Sequence, residues 1–230
     1  MTNAHAPDRA SDIFVSALEP LSITVIVDAM YQLGLAEGAL APNVRHVTGP
    51  RIVGRARTVD RAVMPRNAAQ KDIDPDLGLG IYEVIDSLKP GEVLVVSGEG
   101  DASYSTFGDN MALRSKIAGG IGIVTDVAVR DTAEIGELGF AAFAGGVSVR
   151  PGQFRFITRS INQPVILGGV RVRPGDIVVG DRDGVVVVPE EHALAVAERA
   201  TAIETAEKQK QASLHDGMKI TEAVRKYNVR

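Results

Sequence analysis

Residues 109–144 alternate between segments typical of a helix and segments typical of a strand. The predicted order is a helix over 109–118, a strand over 121–126, a helix over 131–138 and a strand over 139–144. In such a unit each helix carries the chain back along the sheet before the next strand begins. The alternation therefore favours an α/β fold.

Two similar phrases flank this unit: KPGEVLVVSG at 89–98 and RPGDIVVGDRDGVVVVP at 173–189. In each phrase Pro-Gly predicts a tight turn, and the β-branched residues that follow predict a strand. Within the second phrase, Asp-Arg-Asp-Gly at 181–184 predicts a hairpin. Residues 51–64 also read as a strand, although arginines and an aspartate interrupt its apolar residues.

Further helices are predicted elsewhere in the chain. Ser22 is placed to cap a helix that runs to Leu33 and stops at Gly34, with Ile23, Ile26, Met30 and Leu33 on one face. The other predicted helices are 80–89, a long polar helix from Glu190 to about His215, and 220–227. The long helix carries many alanines, and it could pack on its own domain or on another subunit.

Composition limits the classes of function. The 230 residues suit one domain, with residues 1–11 as a loose tail. A net charge of −4 gives no general attraction for nucleic acid or anionic membranes, and the lack of cysteine excludes disulfides and thiolate chemistry. No apolar run approaches the roughly 20 residues of a membrane span, and the start is too polar for a signal peptide. We therefore expect a cytoplasmic protein.

Several common site motifs are missing from the sequence. The four histidines have no paired spacing, so a usual zinc site is not expected. There is no P-loop and no Gly-x-Ser-x-Gly elbow. The phrase GGIGIV at 119–124 imitates a dinucleotide fingerprint, but its glycines precede the strand instead of following it.

Two short segments carry candidate chemistry. Asp109, in the phrase FGDN, is a plausible cap at a helix start whose outward amides would suit an anion. Arg130 and Asp131 follow the strand 121–126, and the end of that strand can return close to the start of the helix. A lone aspartate with water ligands suits Mg²⁺ or Mn²⁺, and arginine suits a carboxylate or an enolate oxygen. An exposed ion pair worth at most about 1 kcal/mol remains the alternative.

The phrases FGDN and GGIGIVTDVAVRDTAEI closely resemble the core signature of a family. That family includes regulator of ribonuclease activity A (RraA) and the class II 4-hydroxy-4-methyl-2-oxoglutarate / 4-carboxy-4-hydroxy-2-oxoadipate aldolases. The resemblance extends from about residue 22, through GRARTV at 54–59, to the C-terminal helix. It implies a compact single α/β domain, layered β/β/α, with a long C-terminal helix. The implied domain is 12–189, and 190–230 would be a helical extension that contacts a neighbouring subunit of a homotrimer or hexamer.

The resemblance also implies a role for each site residue. The amides of Gly108, Asp109, Asn110 and Met111 would hold the carboxylate of a small 2-oxo acid, and Arg130 would contact the same substrate. Asp109 and Arg130 would be the catalytic residues, with Asp109 orienting a water that removes a proton. The arginine-rich segment 149–163 departs from the aldolases of the family and could reshape the pocket for another acid.

A divalent metal is implied by the same resemblance. Asp131 would be the direct protein ligand of Mg²⁺ or Mn²⁺. Glu207 of a neighbouring subunit would bind the metal through water, although Glu204 lies nearby and could take that role.

The implied reaction is retro-aldol cleavage of a 4-hydroxy-2-oxo acid to pyruvate, with oxaloacetate decarboxylation as a related activity. Both reactions pass through a metal-stabilised pyruvate enolate. The first alternative is a non-catalytic regulator that binds and inhibits ribonuclease E. The second is a methyltransferase, for which residues 92–101 offer only a poor glycine-rich loop.

Overall fold

A computed structural model of the chain describes residues 12–64, 79–153 and 155–227. In these ranges the helices are α1 (Ile13–Leu18), α2 (Ile23–Gln32), α3 (Gly80–Asp86), α4 (Asp109–Ala118), α5 (Thr132–Glu137), α6 (Ala193–His215) and α7 (Ile220–Tyr227). The strands are β1 (Arg45–Thr48), β2 (Ile52–Val63), β3 (Glu92–Ser97), β4 (Ser105–Phe107), β5 (Gly122–Thr125), β6 (Ala128–Val129), β7 (Ala141–Ala144), β8 (Gly146–Val147), β9 (Phe156–Ile161), β10 (Val165–Leu167), β11 (Val170–Val172), β12 (Ile177–Asp181) and β13 (Gly184–Val188). The predicted tail, residues 1–11, lies outside the described residues.

The main sheet has eight strands in the order β1-β7-β5-β3-β2-β12-β13, with β9 paired to β2. Its centre is parallel: β2, β3, β5 and β7 all run in one direction. The outer strands β1, β9, β12 and β13 pair antiparallel. Helix α4 precedes β5 and α5 precedes β7, so the predicted alternation of helix and strand is confirmed.

Layers form because both faces of the sheet are apolar. On β3, Leu94 and Val96 join the cluster beneath α3, α4 and α5, whereas Val93 and Val95 point to the opposite face. There they meet the hairpin β10–β11 through residues such as Leu167. Side chains alternate along a strand, so an unbroken apolar run serves both faces. The predicted β/β/α layering is confirmed.

Helix α2 illustrates how a short signal fixes local structure. The hydroxyl of Ser22 accepts a hydrogen bond from the Val25 N–H at 3.4 Å, so Ser22 is the predicted cap. Gly34 has a φ of +68°, which a glycine adopts readily, and the helix ends there as predicted. Of the four residues predicted on one face, Ile23, Ile26 and Met30 are buried, whereas Leu33 is the capping residue and is 42% exposed.

The long helix α6 begins at Ala193, after a 3₁₀ turn over Glu190–His192, and therefore one turn later than predicted. Its buried residues pack against α1 and α2 of the same chain, and small alanines allow a close approach. Its contact with a neighbouring subunit stays a prediction. Among the described residues, no helix has the length and apolar character needed to cross a membrane.

A second, three-stranded parallel sheet lies beyond the carboxyl ends of the central strands. Strands β4, β6 and β8 follow β3, β5 and β7 in the chain, and they pair in the same order. The chain passes from one sheet to the other at Asp126 and Gly145. A Cβ on Gly145 would lie 2.2 Å from the Asp126 carbonyl oxygen, so only glycine fits at this crossing.

Candidate functional site

The site is built where β4 and β6 end side by side. Because these strands are parallel, both carboxyl ends reach the same edge of the small sheet. The Arg130 N–H donates a hydrogen bond to the Phe107 carbonyl at 3.0 Å, which extends the pairing by one residue. The structure therefore brings Gly108 and Asp109 next to Arg130 and Asp131, as the sequence predicts.

The carboxylate of Asp131 joins the two segments. Its Oδ2 atom accepts a hydrogen bond from the Asp109 N–H at 3.3 Å and lies 3.3 Å from Arg130 Nε. A Cβ on Gly108 would lie 2.6 Å from the same oxygen and 3.2 Å from Arg130 Nε. Glycine at position 108 thus leaves the space in which the carboxylate meets the helix start.

The prediction that Asp109 caps α4 is wrong. Gly108 is the capping residue and makes no side-chain capping bond, while Asp109 is the first residue of the helix. The Asp109 Oδ1 atom instead accepts from the N–H of Asn110 at 2.7 Å and from its side-chain amide at 3.2 Å. A carboxylate at the end of a neighbouring strand can accept a hydrogen bond from the first amides of a helix, as a local capping side chain does. Here Asp131 accepts from the Asp109 N–H.

The backbone of Asp131 is in the left-handed region, with φ 53° and ψ 43°. That conformation costs a residue with a side chain roughly 1 kcal/mol, although aspartate tolerates it better than most. The side chains of Arg130 and Asp131 are 44% and 34% exposed, and ion pairs this accessible contribute little to stability. Stability therefore does not explain this arrangement, and such backbone outliers are typical of functional sites.

Aromatic packing supports the site from below. Phe107, the last residue of β4, stacks on Phe140 with ring centroids 5.9 Å apart and an interplanar angle of 16°. Both rings are fully buried, together with Val129 at the end of β6. The strand ends that carry Gly108 and Arg130 are thus fixed by the core beneath α4 and α5.

One carboxylate is available for a metal at this site. No three histidine, aspartate or glutamate side chains gather as a metal site anywhere in 12–64, 79–153 and 155–227. Asp131 Oδ1, however, has no hydrogen-bond partner among these residues. A single free carboxylate oxygen fits Mg²⁺ or Mn²⁺, which keep most of their ligands as water and substrate oxygens. The residues present therefore fit a hydrated divalent cation.

The predicted glutamates lie elsewhere in the chain. Glu207 and Glu204 are on α6, which packs against α1, α2 and α7, whereas Asp131 lies at the start of α5. Glu204 forms an ion pair with Lys208 at 2.7 Å. A role for either glutamate in the site of a neighbouring subunit stays a prediction.

A groove of about 260 Å³ runs beside the site, between α3 and α4. Asn110 and Met111 border it together with Tyr82, Ile85, Asp86 and Arg114. Of the predicted substrate loop, Gly108 and Asp109 therefore face Asp131, while Asn110 and Met111 also border this groove.

Two buried charged residues near the strand ends were not predicted from the sequence. Asp126 accepts a hydrogen bond from the Gly98 N–H at 2.7 Å, and burial raises the pKa of its carboxyl group. Arg61, on β2, is only 6% exposed and donates to the Thr106 hydroxyl at 2.7 Å. In the sequence Arg61 is one of several arginines within 51–64, and no signal separates it from exposed ones.

Arg150 and Pro151, at the start of the arginine-rich segment 149–163, lie beside β4, whereas β9 in the same segment pairs with β2. The Ser105 N–H donates to the Arg150 carbonyl at 2.9 Å, so residues next to β8 are tied to the strand that leads into the site. The guanidinium groups of Arg150 and Arg155 lie 5.9 Å and 5.3 Å from the centre of the Tyr104 ring. Arg150 and Arg155 thus place positive charge beside Tyr104, which directly precedes β4.

Comparison with known proteins gives a consistent family. The model of the RraA-like family, described as Aldolase/RraA, matches residues 23–187. A Halalkalibacterium halodurans protein, provisionally named 4-hydroxy-4-methyl-2-oxoglutarate aldolase, is 32% identical over 192 residues, covering 82% of this chain and 84% of that protein. The 4-hydroxy-4-methyl-2-oxoglutarate aldolase of Thermus thermophilus is 31% identical over 160 residues, covering 67% and 87%. The crystal structure of Streptomyces coelicolor RraAS2, an unusual member of the RNase ES inhibitor RraA protein family, superposes with a TM-score of 0.77 at 29% identity, covering 88% and 98%.

Proposed function

The chain belongs to the RraA-like family, and we propose that it is a divalent-metal-dependent lyase that cleaves a 4-hydroxy-2-oxo acid to pyruvate. Decarboxylation of oxaloacetate would be its related activity. Two relatives that carry the aldolase name support this proposal. The observation that carries it is the meeting of Asp131 with both Arg130 and the start of α4 at one edge.

The start of α4 and Arg130 would bind different groups of the substrate. The first amides of α4 carry partial positive charge and suit the carboxylate of a 2-oxo acid. Arg130 is 44% exposed, so its guanidinium is accessible to a small substrate. It would donate to the 2-oxo oxygen, on which negative charge develops as the bond breaks. Removing one such donor typically costs about 10²–10³ in rate.

Asp109 is suited to proton transfer. Its Oδ1 atom is held by Asn110, whereas Oδ2 has no hydrogen-bond partner among the described residues. That oxygen would orient a water molecule that takes the proton of the 4-hydroxyl group. The bond between carbons 3 and 4 then breaks, and its electron pair moves towards the 2-oxo group. Decarboxylation needs no such base, because carbon dioxide leaves without losing a proton.

Asp131 would hold the metal through its free Oδ1 atom. Mg²⁺ or Mn²⁺ would supply Lewis-acid neutralisation of the charge that develops on the substrate's oxygens. Oδ2 would remain on the Asp109 N–H and would keep the carboxylate oriented. Glu207 of a neighbouring subunit, in a homotrimer or hexamer, would hold a water of the metal shell.

The test is pyruvate production by the purified protein. Oxaloacetate and a panel of 4-hydroxy-2-oxo acids are supplied with Mg²⁺, with Mn²⁺ or with EDTA, and pyruvate is followed with lactate dehydrogenase and NADH. Pyruvate release that needs the metal is the expected result. Equal rates in EDTA would remove the metal from the proposal, and no pyruvate from any substrate would refute the lyase.

A regulator of ribonuclease is the second candidate, and the similarity to RraAS2 favours it. A pull-down against ribonuclease E, run beside the pyruvate assay, separates the two. Capture of the ribonuclease without pyruvate release would favour the regulator. The methyltransferase alternative has less support, because the residues after β3 lead into strand β4 and not into the helix that a cofactor loop would open.

A further inference from the structure

Arg61 is a buried cation close to the site. It lies near the end of β2, is 6% exposed, and donates to the Thr106 hydroxyl at 2.7 Å and to the Phe156 carbonyl at 3.2 Å. Its guanidinium carbon is 5.1 Å from the centre of the Phe156 ring. All of these partners are neutral.

No acid compensates this charge within 12–64, 79–153 and 155–227. The Nε atom of Arg61 is buried and has no hydrogen-bond partner there. Burial lowers the pKa of its guanidinium to about 10, although the phenol of Tyr82 acts in the opposite direction. A buried charge without a counter-charge costs stability, and a methylene chain of the same length would avoid that cost. Packing therefore does not explain why arginine stands at this position.

The position of Arg61 relates it to the candidate site. Its partner Thr106 precedes Gly108 by two residues, and two residues of extended chain span at most about 7 Å. Thr106 is also the extra residue of a bulge in β4, between the pairs Ser105–Ala128 and Phe107–Val129. Bulges next to active sites commonly redirect the chain that follows them. Arg61 thus places a buried positive charge beside the strand that leads into Gly108.

We propose that Arg61 determines substrate preference by charge, so that a 2-oxo acid with a second carboxylate is favoured over one without it. The inference rests on the proposed lyase function. A substrate that brings an additional negative charge into the cleft offers the buried guanidinium the counter-charge that the described residues lack. For unit charges 8–10 Å apart in a medium of intermediate polarity, the expected preference is roughly ten-fold.

The test compares two substrates that differ in one group on carbon 4: 4-hydroxy-2-oxoglutarate, with a second carboxylate there, and 4-hydroxy-2-oxopentanoate, with a methyl group. The ratio of their kcat/KM values is measured for the wild type and for Arg61→Met and Arg61→Lys. Melting temperatures are measured in parallel. Arg173→Met is the matched control, because the charge of Arg173 is already compensated by Asp176 and Glu191.

We expect the wild type to prefer the diacid, 4-hydroxy-2-oxoglutarate. Arg61→Met should lose about ten-fold of that preference while its melting temperature holds or rises, and Arg61→Lys should retain the preference. The control should leave the ratio unchanged. A fall in melting temperature with proportional losses on both substrates would show a structural role and overturn the inference, as would failure of Arg61→Met to fold.

The outcomes for the wild type separate this inference from the function on which it rests. Equal efficiency on both substrates would overturn the inference and leave the lyase standing. No pyruvate from either substrate would refute the lyase itself, and this inference with it.

Discussion

Replacing Gly108 by alanine tests whether the site depends on the close approach of Asp131. The new Cβ would lie 2.6 Å from Asp131 Oδ2, whereas ordinary contact begins at 3.4 Å, so the carboxylate must move by the difference, 0.8 Å. The atom that must move is the end of a side chain, and the φ of −147° at Gly108 suits any residue. The fold should therefore tolerate the change.

The expected loss is in activity. A displacement approaching 1 Å at a catalytic group costs about 10² in rate, so kcat/KM for pyruvate release should fall by about that factor. Alanine is also a poor capping residue, which should lower the free energy of unfolding by about 0.5–1 kcal/mol.

Gly108→Ser is the matched variant. Serine places the same Cβ against Asp131, but its hydroxyl can cap α4 and restore stability. We expect Gly108→Ser to lose activity as Gly108→Ala does while melting close to the wild type. The measurements are pyruvate release coupled to NADH oxidation, and thermal unfolding followed by circular dichroism. Wild-type kcat/KM in either variant would refute the argument that space at position 108 positions the carboxylate.

Four further substitutions test other parts of the structure. Asp109→Asn should lower retro-aldol cleavage by about 10²-fold and leave oxaloacetate decarboxylation nearly unchanged, because only cleavage needs a base; equal losses in the two kcat values would remove Asp109 from that role. Asp131→Asn, which tolerates the left-handed backbone, should abolish both reactions and weaken Mn²⁺ binding measured by electron paramagnetic resonance; unchanged binding would contradict its role as ligand. Asp126→Asn keeps an acceptor for the Gly98 N–H and removes a buried charge. Because burial raises the pKa of Asp126 in the folded state, wild-type stability falls as pH rises from the unfolded to the folded pKa. Urea unfolding at a series of pH values should show that the variant lacks this fall, and parallel curves would contradict it. Phe140→Ala should lower the free energy of unfolding by about 3–5 kcal/mol, measured by denaturant titration; a loss below about 1 kcal/mol would show that the ring does not support the strand ends.

Much of the fold could be predicted because its signals are local. Ser22 and Gly34 bound α2 through a hydroxyl cap and a left-handed glycine, and both effects act within a few residues. The β-branched runs after each Pro-Gly turn became β3, β12 and β13 for the same reason. The short strands β1, β10 and β11 were not predicted, since their residues pair only because other elements place them together.

The residues that form the candidate site could be predicted from the sequence, but the contacts between them could not. Asp109 and Asp131 are 22 residues apart, and an intervening helix and strand return the chain to one edge, so their proximity follows from the alternation. Which carboxylate satisfies the start of α4 does not follow from the alternation. Local propensity favours Asp109, but the left-handed turn at position 131 aims the other carboxylate at the same amide.

The order of residues by itself determined the longer helices and strands, their alternation and the two segments that carry charge at strand ends, because these depend on neighbours in the chain. Only the tertiary structure decided that Gly108 must lack a side chain, that Asp131 bridges two strand ends, and that Arg61 is buried without a described counter-charge. These features arise where segments that are distant in the sequence pack within a few ångströms of each other. Burial and charge compensation belong to that shared space and not to any one stretch of sequence.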